Sequence, residues 1–151
     1  MFGAHPLKRR MDRRSTRKIE RALALNRRGE VRRDGLALIG ASRTLEIEWR
    51  ARTIHPWDAD YSSSEPESLF AEQCFADTDA ALHRLLIELP DIDEIRFRVI
   101  HPESDAQLLA GTVTRTAVSE SVAGASPRNR LWHMGVRVSV VILARLLTLL
   151  R

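Results

Sequence analysis

Two segments with alternating apolar and polar residues constrain the fold of this chain more than any other feature. Residues 44–54 read TLEIEWRARTI, and residues 94–99 read EIRFRV. A period of two places the apolar side chains on one face of a β-strand and the charged side chains on the other. We therefore predict two strands, each with one buried face.

A long segment with helical periodicity separates these two strands. From residue 65 to residue 89 the apolar side chains recur at spacings of three and four, and Ser64 with Glu67 has the pattern of a capping box. Residues 107–116 supply a third predicted strand, in which Gly111 marks a bulge or a close approach of the backbone. The order strand, helix, strand, strand predicts an α+β fold, in which the long amphipathic helix covers one face of a small sheet. The crossover helix allows the first two strands to run parallel.

The first two strands end in the same pattern, x-R-x-R-x-I-H-P. It occurs as WRARTIHP at residues 49–56 and as IRFRVIHP at residues 95–102. Parallel pairing that aligned the two copies would place arginine beside arginine, and like charges on neighbouring strands destabilise a sheet. Antiparallel pairing, or insertion of the third strand between the two, would instead let the glutamates of the first strand meet these arginines. We therefore expect that the copies are not aligned neighbours, with an arginine face that binds an anion as the alternative.

Parallel strands would also bring the two histidines of the repeat, His55 and His101, to one edge of the sheet. With Asp58, Asp60 and Asp105 near them, they form a candidate metal site or acid–base pair. Each histidine is followed directly by proline, however, and proline ends strands because it cannot donate to the hydrogen-bond ladder. We favour strand termination, and we predict no catalytic residue, no metal site and no cofactor.

The single cysteine, Cys74, falls in the apolar stripe of the predicted helix. It is predicted to be a small buried hydrophobe rather than a nucleophile. One cysteine permits no intramolecular disulfide, which fits a reducing compartment. The basic residues near the start of the chain are not followed by the apolar stretch of a signal peptide. Cytoplasmic localisation is the resulting prediction.

Charge is strongly segregated along the chain. Residues 1–33 contain twelve Lys or Arg and three acids, residues 34–120 contain seven Arg and seventeen acids, and residues 121–151 contain five Arg and no acid. An acidic body between two basic ends indicates a polyanionic partner. The alternative is a basic arm that folds back onto its own acidic body. We divide the chain into a basic N-terminal helical arm, 1–33, and a single α+β domain, 34–151, which includes an apolar C-terminal segment.

The basic arm has the periodicity of a helix over residues 12–28. At about 100° per residue its arginines fall in one stripe, and Ile19, Ala22 and Leu23 lie on the opposite side. Such a stripe suits phosphates, because guanidinium groups match phosphate oxygens and neutralisation releases counterions. No aromatic residue interleaves the stripe, so base stacking is not predicted there. The predicted nucleic-acid-binding residues are Arg10, Arg13, Arg14, Arg17, Lys18, Arg21 and Arg28.

The C-terminal segment is the most apolar part of the chain. Its apolar run, residues 138–150, is interrupted by Arg145 and is shorter than the roughly twenty residues that a membrane-spanning helix needs. We predict a core strand followed by a helical end, with an oligomer contact or a membrane-surface anchor as alternatives. Trp132 and His133, just before this run, are predicted to pack in the protein rather than to bind a cofactor.

These features predict a small, non-catalytic, cytoplasmic protein that contacts nucleic acid or another polyanion through its N-terminal helix. The second hypothesis is a protein-interaction or homo-oligomeric accessory domain, with the basic arm folded on the acidic body. The third is a small hydrolase-like or metal-dependent enzyme that uses His55 and His101. No membrane span is predicted.

Overall fold

The computed structural model describes residues 8–9, 11–24, 37–39, 43–54 and 66–139. Within these residues the protein has an α+β fold with one mixed sheet and four helices. The strands, in their order across the sheet, are β1 (Lys8–Arg9), β2 (Ala37–Ile39), β3 (Thr44–Arg50), β4 (Glu94–Ile100), β5 (Gln107–Thr114) and β6 (Arg137–Val138). The helices are α1 (Arg13–Ala24), α2 (Pro66–Glu88), α3 (Arg115–Ser119) and α4 (Pro127–His133).

The predicted order of strand, helix, strand and strand is confirmed by β3, α2, β4 and β5. Strands β3 and β4 are parallel, and the other neighbouring pairs are antiparallel. Helix α2 makes the crossover, and both its ends lie within one residue of the predicted positions. Strand β3 is shorter than predicted and ends at Arg50 rather than at Ile54, because its partner β4 ends at Ile100.

The two copies of the repeat lie on neighbouring parallel strands, but their register is shifted by four residues. Arg50 pairs with Ile100, four residues beyond the Arg96 that an aligned register would give it, and Arg96 pairs with Glu46 instead. A shift by an even number keeps every apolar side chain on its own face of the sheet, because side chains alternate. The copies are therefore not aligned, as predicted. The two alternatives, antiparallel pairing and a third strand inserted between the first two, are wrong, because β3 and β4 are parallel neighbours and β5 lies on the other side of β4.

One hydrophobic core joins the sheet to the helices. The alternating apolar residues of β3 and β4 are buried, as predicted. Among them the rings of Trp49 and Phe97 stack with their centroids 5.6 Å apart. Helices α1 and α4 contribute Ile19 and Leu131, which are almost completely buried. Helix α2 contributes most of its predicted stripe, including Cys74, Ala81, Leu82, Leu85 and Leu86.

Gly111 in β5 permits the close approach of backbone that its position predicted. A Cβ atom at this residue would lie 3.3 Å from the Cα of Val136 and 3.5 Å from the ring of Phe97. The nearer neighbour is backbone, which moves less easily than the end of a flexible side chain. Glycine thus lets the segment that leads into β6 pack directly over β5.

Two short helices follow β5, and the first of them replaces the predicted end of the third strand. Helix α3 begins after Thr114, whose side chain accepts a hydrogen bond from the backbone N of Ala117, so the third strand ends before residue 116. Helix α4 begins after Ser126, whose side chain accepts a hydrogen bond from the backbone N of Asn129, and proline occupies its first turn. Both starts follow the usual capping chemistry of helices.

Several predictions fall outside the described residues. They include the boundary at residue 33, the capping box that begins at Ser64, and the apolar segment from residue 140 onward. The start of that segment does form a strand, since β6 pairs with β5. Among the described helices, none is long and apolar enough to cross a membrane.

Candidate nucleic-acid interface

Helix α1 carries five of the seven predicted binding residues. The carboxylate of Asp12, which precedes the helix, accepts a hydrogen bond of 2.6 Å from the backbone N of Ser15. This bond satisfies one of the free N–H groups at the start of the helix. It also lowers the pKa of Asp12, because it stabilises the ionised carboxylate. The predicted continuation of the helix to Arg28 lies outside the described residues.

The apolar side of α1 is docked in the core. Ile19 is fully buried, Ala22 and Leu23 are nearly so, and Met11 packs against the same core. Helix α1 packs on α2 through this side. The predicted division of the helix into one docked side and one exposed side is therefore confirmed over residues 13–23.

The opposite side of α1 presents five cations, which we name the α1 cationic face. The side chains of its four arginines are exposed and that of its lysine is half-buried, and together they line an open depression. Within the described parts of the chain, none of the five forms an ion pair with an acidic side chain. The face consists of Arg13, Arg14, Arg17, Lys18 and Arg21. Of the remaining predicted residues, Arg10 and Arg28 lie outside the described ranges.

Arginines of the sheet, by contrast, have acidic partners. Arg98 on β4 donates a hydrogen bond to the buried carboxylate of Glu48 on β3. Arg52, just after β3, binds both carboxylate oxygens of Asp77 on α2, at 2.6 and 3.2 Å. These side chains join strand to strand and strand to helix, which is a structural role.

Arg50 in the first copy of the repeat holds the loop that follows the second copy. Its Nη1 donates to the carbonyl oxygens of His101 and Ser104, at 3.0 and 2.8 Å. Its Nη2 donates to the carboxylate of Asp105 at 3.0 Å. Arg50 of β3 therefore stabilises the turn that follows the neighbouring strand β4.

His101 also has a structural role in that turn. Its Nδ1 accepts a hydrogen bond of 3.1 Å from the backbone N of Glu103, and its ring lies 5.9 Å from that of Phe70 between centroids. His55 lies outside the described residues, so the proximity of the two histidines stays a prediction. In the described ranges, no group of three or more His, Cys, Asp or Glu could hold a metal ion.

Cys74 is a buried residue of α2, as predicted, and is 3% exposed. Burial raises the pKa of its thiol to about 12, and the charge of Asp77 acts in the same direction. The thiolate is the nucleophilic form of cysteine. At neutral pH this side chain is therefore an inert part of the core.

Helix α4 is anchored to α2 by a largely buried ion pair. Arg130 donates to one carboxylate oxygen of Asp79 from Nε and Nη2, at 3.0 and 2.6 Å, and from Nη1 to the carbonyl of Ala125. The hydrogen bond to Asp79 raises the pKa of Arg130 and so favours its charged form. The Nδ1 of His83 lies 2.8 Å from the backbone carbonyl oxygen of Asp79 and 3.6 Å from its second carboxylate oxygen. The ion pair fixes the position of α4 on the helical layer.

The prediction that Trp132 packs in the protein is wrong, since its side chain is 70% exposed. Leu131 and Met134 are buried and define the inward stripe of α4. At about 100° per residue, Trp132 is turned away from Leu131 and His133 is turned further still. A helix of seven residues buries only this one narrow stripe, and both Trp132 and His133 are exposed. No local sequence pattern indicates this arrangement, because the docking of α4 depends on the ion pair between Arg130 and Asp79.

No protein family, curated protein or solved structure matches the chain. Its function is therefore inferred from the chemistry of its own surfaces. Among the described residues the clearest chemical contrast is between arginines that bind protein groups and the α1 cationic face, which has no acidic partner.

Proposed function

We propose that the protein binds nucleic acid through the α1 cationic face, by contacts with backbone phosphates. The observation that carries this proposal is the environment of α1. Its apolar side is buried, which fixes the helix on the protein. Its four arginines are exposed and its lysine is half-buried, and none of the five has an acidic partner among the described residues. A helix held in this way presents its charges in a fixed arrangement.

The dimensions of this face suit a phosphate backbone. Arg13 and Arg21 are eight residues apart, which corresponds to about 12 Å along a helix. One strand of duplex DNA carries a phosphate every 3.4 Å or so of axis, so the face spans about three or four phosphates. Arginine forks bind phosphate oxygens through paired hydrogen bonds. Contacts of this kind position a protein without reading the base sequence.

The competing hypothesis is that the basic arm neutralises the acidic body of the same protein. It requires ion pairs between the arm and acidic side chains. The described part of α1 forms none with the acidic side chains of the described residues, and the helix is attached through apolar residues instead. These observations favour an external anion.

The test is binding of labelled nucleic acid at several salt concentrations by the wild type and by the triple variant Arg14→Gln, Arg17→Gln, Arg21→Gln. Glutamine keeps a good helix propensity while it removes three charges. We expect weaker binding to unrelated sequences alike. The slope of log affinity against log salt should become shallower by up to about 0.9 for each lost duplex contact.

A matched pair of single variants separates position from net charge. Arg17→Gln and Arg96→Gln each remove one exposed arginine, the first from the α1 cationic face and the second from β4. Only Arg17→Gln should weaken binding and reduce the salt slope. Equal effects would assign binding to overall charge. Unchanged affinity in a folded triple variant would refute the proposal.

A further inference from the structure

Trp132 is a large apolar side chain that the fold leaves in solvent. Ile87 and Val122 are the other large hydrophobic residues exposed in the described ranges, and Trp132 alone among these three is aromatic. An exposed indole is a typical contact point for a ligand, because it offers a broad flat surface at low conformational cost. Its helix is held by the buried Leu131 and by the ion pair between Arg130 and Asp79. The indole ring is therefore attached to a helix whose position on the protein is fixed.

Trp132 belongs to a cationic segment of the chain. Arg128 lies four residues earlier on α4, which places it on the same side of the helix. Arg128, His133 and Arg137 are all exposed. Among the described residues, neither Arg128 nor Arg137 takes part in an ion pair. No acid occurs from residue 121 to the last residue. Charge complementarity therefore points to an anionic ligand with a flat apolar group.

We propose that Trp132 and Arg128 form a stacking platform for an unpaired nucleobase, so that the preferred ligand is a single-stranded nucleic acid. This inference rests on the proposed function, because the α1 cationic face supplies the main phosphate contacts. In a duplex the bases stack on each other and their faces are covered, whereas a single strand offers a free π-face beside each phosphate. Helices α1 and α4 both pack against α2, so one structural unit carries both contact surfaces.

The experiment compares binding of fluorescently labelled oligothymidylate and of a mixed-sequence duplex of equal length, with the full chain throughout. The variants are Trp132→Ala, Trp132→Phe and Arg128→Gln. Ile87→Ala is the matched control, since it removes an apolar side chain that is 76% exposed on α2. Trp132→Ala should weaken binding to the single strand about 5- to 100-fold, with little change for the duplex. Trp132→Phe should retain most of the affinity, Arg128→Gln should lose part of it, and Ile87→Ala should match the wild type.

Intrinsic fluorescence gives a second measurement. A base stacked on the exposed indole should quench the wild-type emission on addition of oligothymidylate, and this quenching should vanish in Trp132→Phe. Unchanged single-strand affinity in Trp132→Ala, or an equal loss for duplex and single strand, overturns the stacking platform. A Trp132→Ala variant that changes the sedimentation coefficient of the free protein also overturns it, because the indole then contacts a second copy.

The failure of this inference is distinguishable from the failure of the proposed function. If the triple α1 variant loses salt-dependent binding while Trp132→Ala binds normally, only the stacking platform is wrong. If Trp132→Ala loses single-strand binding while the triple variant binds normally, only the role of α1 is wrong. A wild-type protein that binds neither ligand at low salt refutes both.

Discussion

The arginines of the sheet and the arginines of α1 carry the same side chain in opposite surroundings. Arg98 and Arg52 bind the carboxylates of Glu48 and Asp77, whereas the α1 cationic face has no acidic partner within the described residues. The partners of the sheet arginines are far away in sequence and are brought to them by the fold. An arginine in a sequence therefore indicates a ligand only where the fold gives it no acidic neighbour.

The strongest test of this comparison removes the carboxylate from the most buried pair. Asp79→Ala leaves the guanidinium of Arg130 without its partner, and breaking such a pair should lower the free energy of unfolding by about 3 kcal/mol. Asp105→Ala is the control, because that carboxylate is 86% exposed in its pair with Arg50 and should cost less than about 1 kcal/mol. Urea denaturation measures both. A loss below about 1 kcal/mol for Asp79→Ala would show that the ion pair with Arg130 contributes little to the stability of the fold.

Replacement of a second structural arginine, Arg115, should cause the next largest loss of stability. Arg115 donates to the carbonyl oxygens of Leu86, Leu89 and Ile92, at distances between 2.5 and 3.1 Å. It thereby binds carbonyl groups in the last turn of α2 and in the turn that follows the helix. Arg115→Gln should lower the free energy of unfolding by about 2 kcal/mol. Arg128→Gln, an exposed arginine on α4, should change it by less than about 0.5 kcal/mol, and equal effects of the two would contradict the assignment.

A smaller effect on the free energy of unfolding is expected for the charge pairs that the shifted register places across β3 and β4. A double-mutant cycle with Glu48→Gln and Arg98→Gln should yield a coupling of about 0.5 to 1 kcal/mol, because the two residues face each other across the strands. The matched cycle with Glu48→Gln and Arg96→Gln should yield less, since Arg96 pairs with Glu46. Stronger coupling to Arg96 would indicate a different register.

The smallest change in stability is expected for the α1 cationic face. Replacing Arg14, Arg17 and Arg21 with Gln should alter the free energy of unfolding by no more than about 0.5 kcal/mol, since these side chains are exposed and the propensities are similar. Thermal or urea denaturation, on the sample used for binding, checks this. A loss of about 2 kcal/mol would mean that the face binds the acidic body of the protein.

Local periodicity explains which parts of the fold the sequence predicts. Strands β3, β4 and β5 and helix α2 each have a repeating pattern of apolar residues, and their positions followed from it. Strands β1 and β2 have two and three residues, too few for a period, and pairing with a neighbour defines them. The register of β3 and β4 depends on which charges meet across the sheet. The sequence therefore argued against an aligned register but did not predict the shift of four residues.

The candidate site also combines features that local spacing predicts with features that depend on the tertiary fold. The two sides of α1 follow from helical spacing alone, so both the docked residues and the exposed cations were predictable. Trp132 was not predicted, because its exposure depends on how α4 docks. That docking is set by Arg130, whose partner Asp79 lies fifty-one residues earlier in the chain. Contacts of this separation are decided by the tertiary fold rather than by local spacing.

The short outer strands of the described sheet affect how molecules behave when they are crowded together. A long exposed edge strand is a template for pairing with another chain, and proteins limit this by shortening their edges or by placing lysine and other charges there. Strands β1 and β6 have two residues each and include Lys8, Arg9 and Arg137. Within the described residues, such edges provide few hydrogen-bonding groups, and their positive charge opposes pairing with a second copy. The described part of the sheet therefore disfavours edge-to-edge joining of two molecules at high concentration.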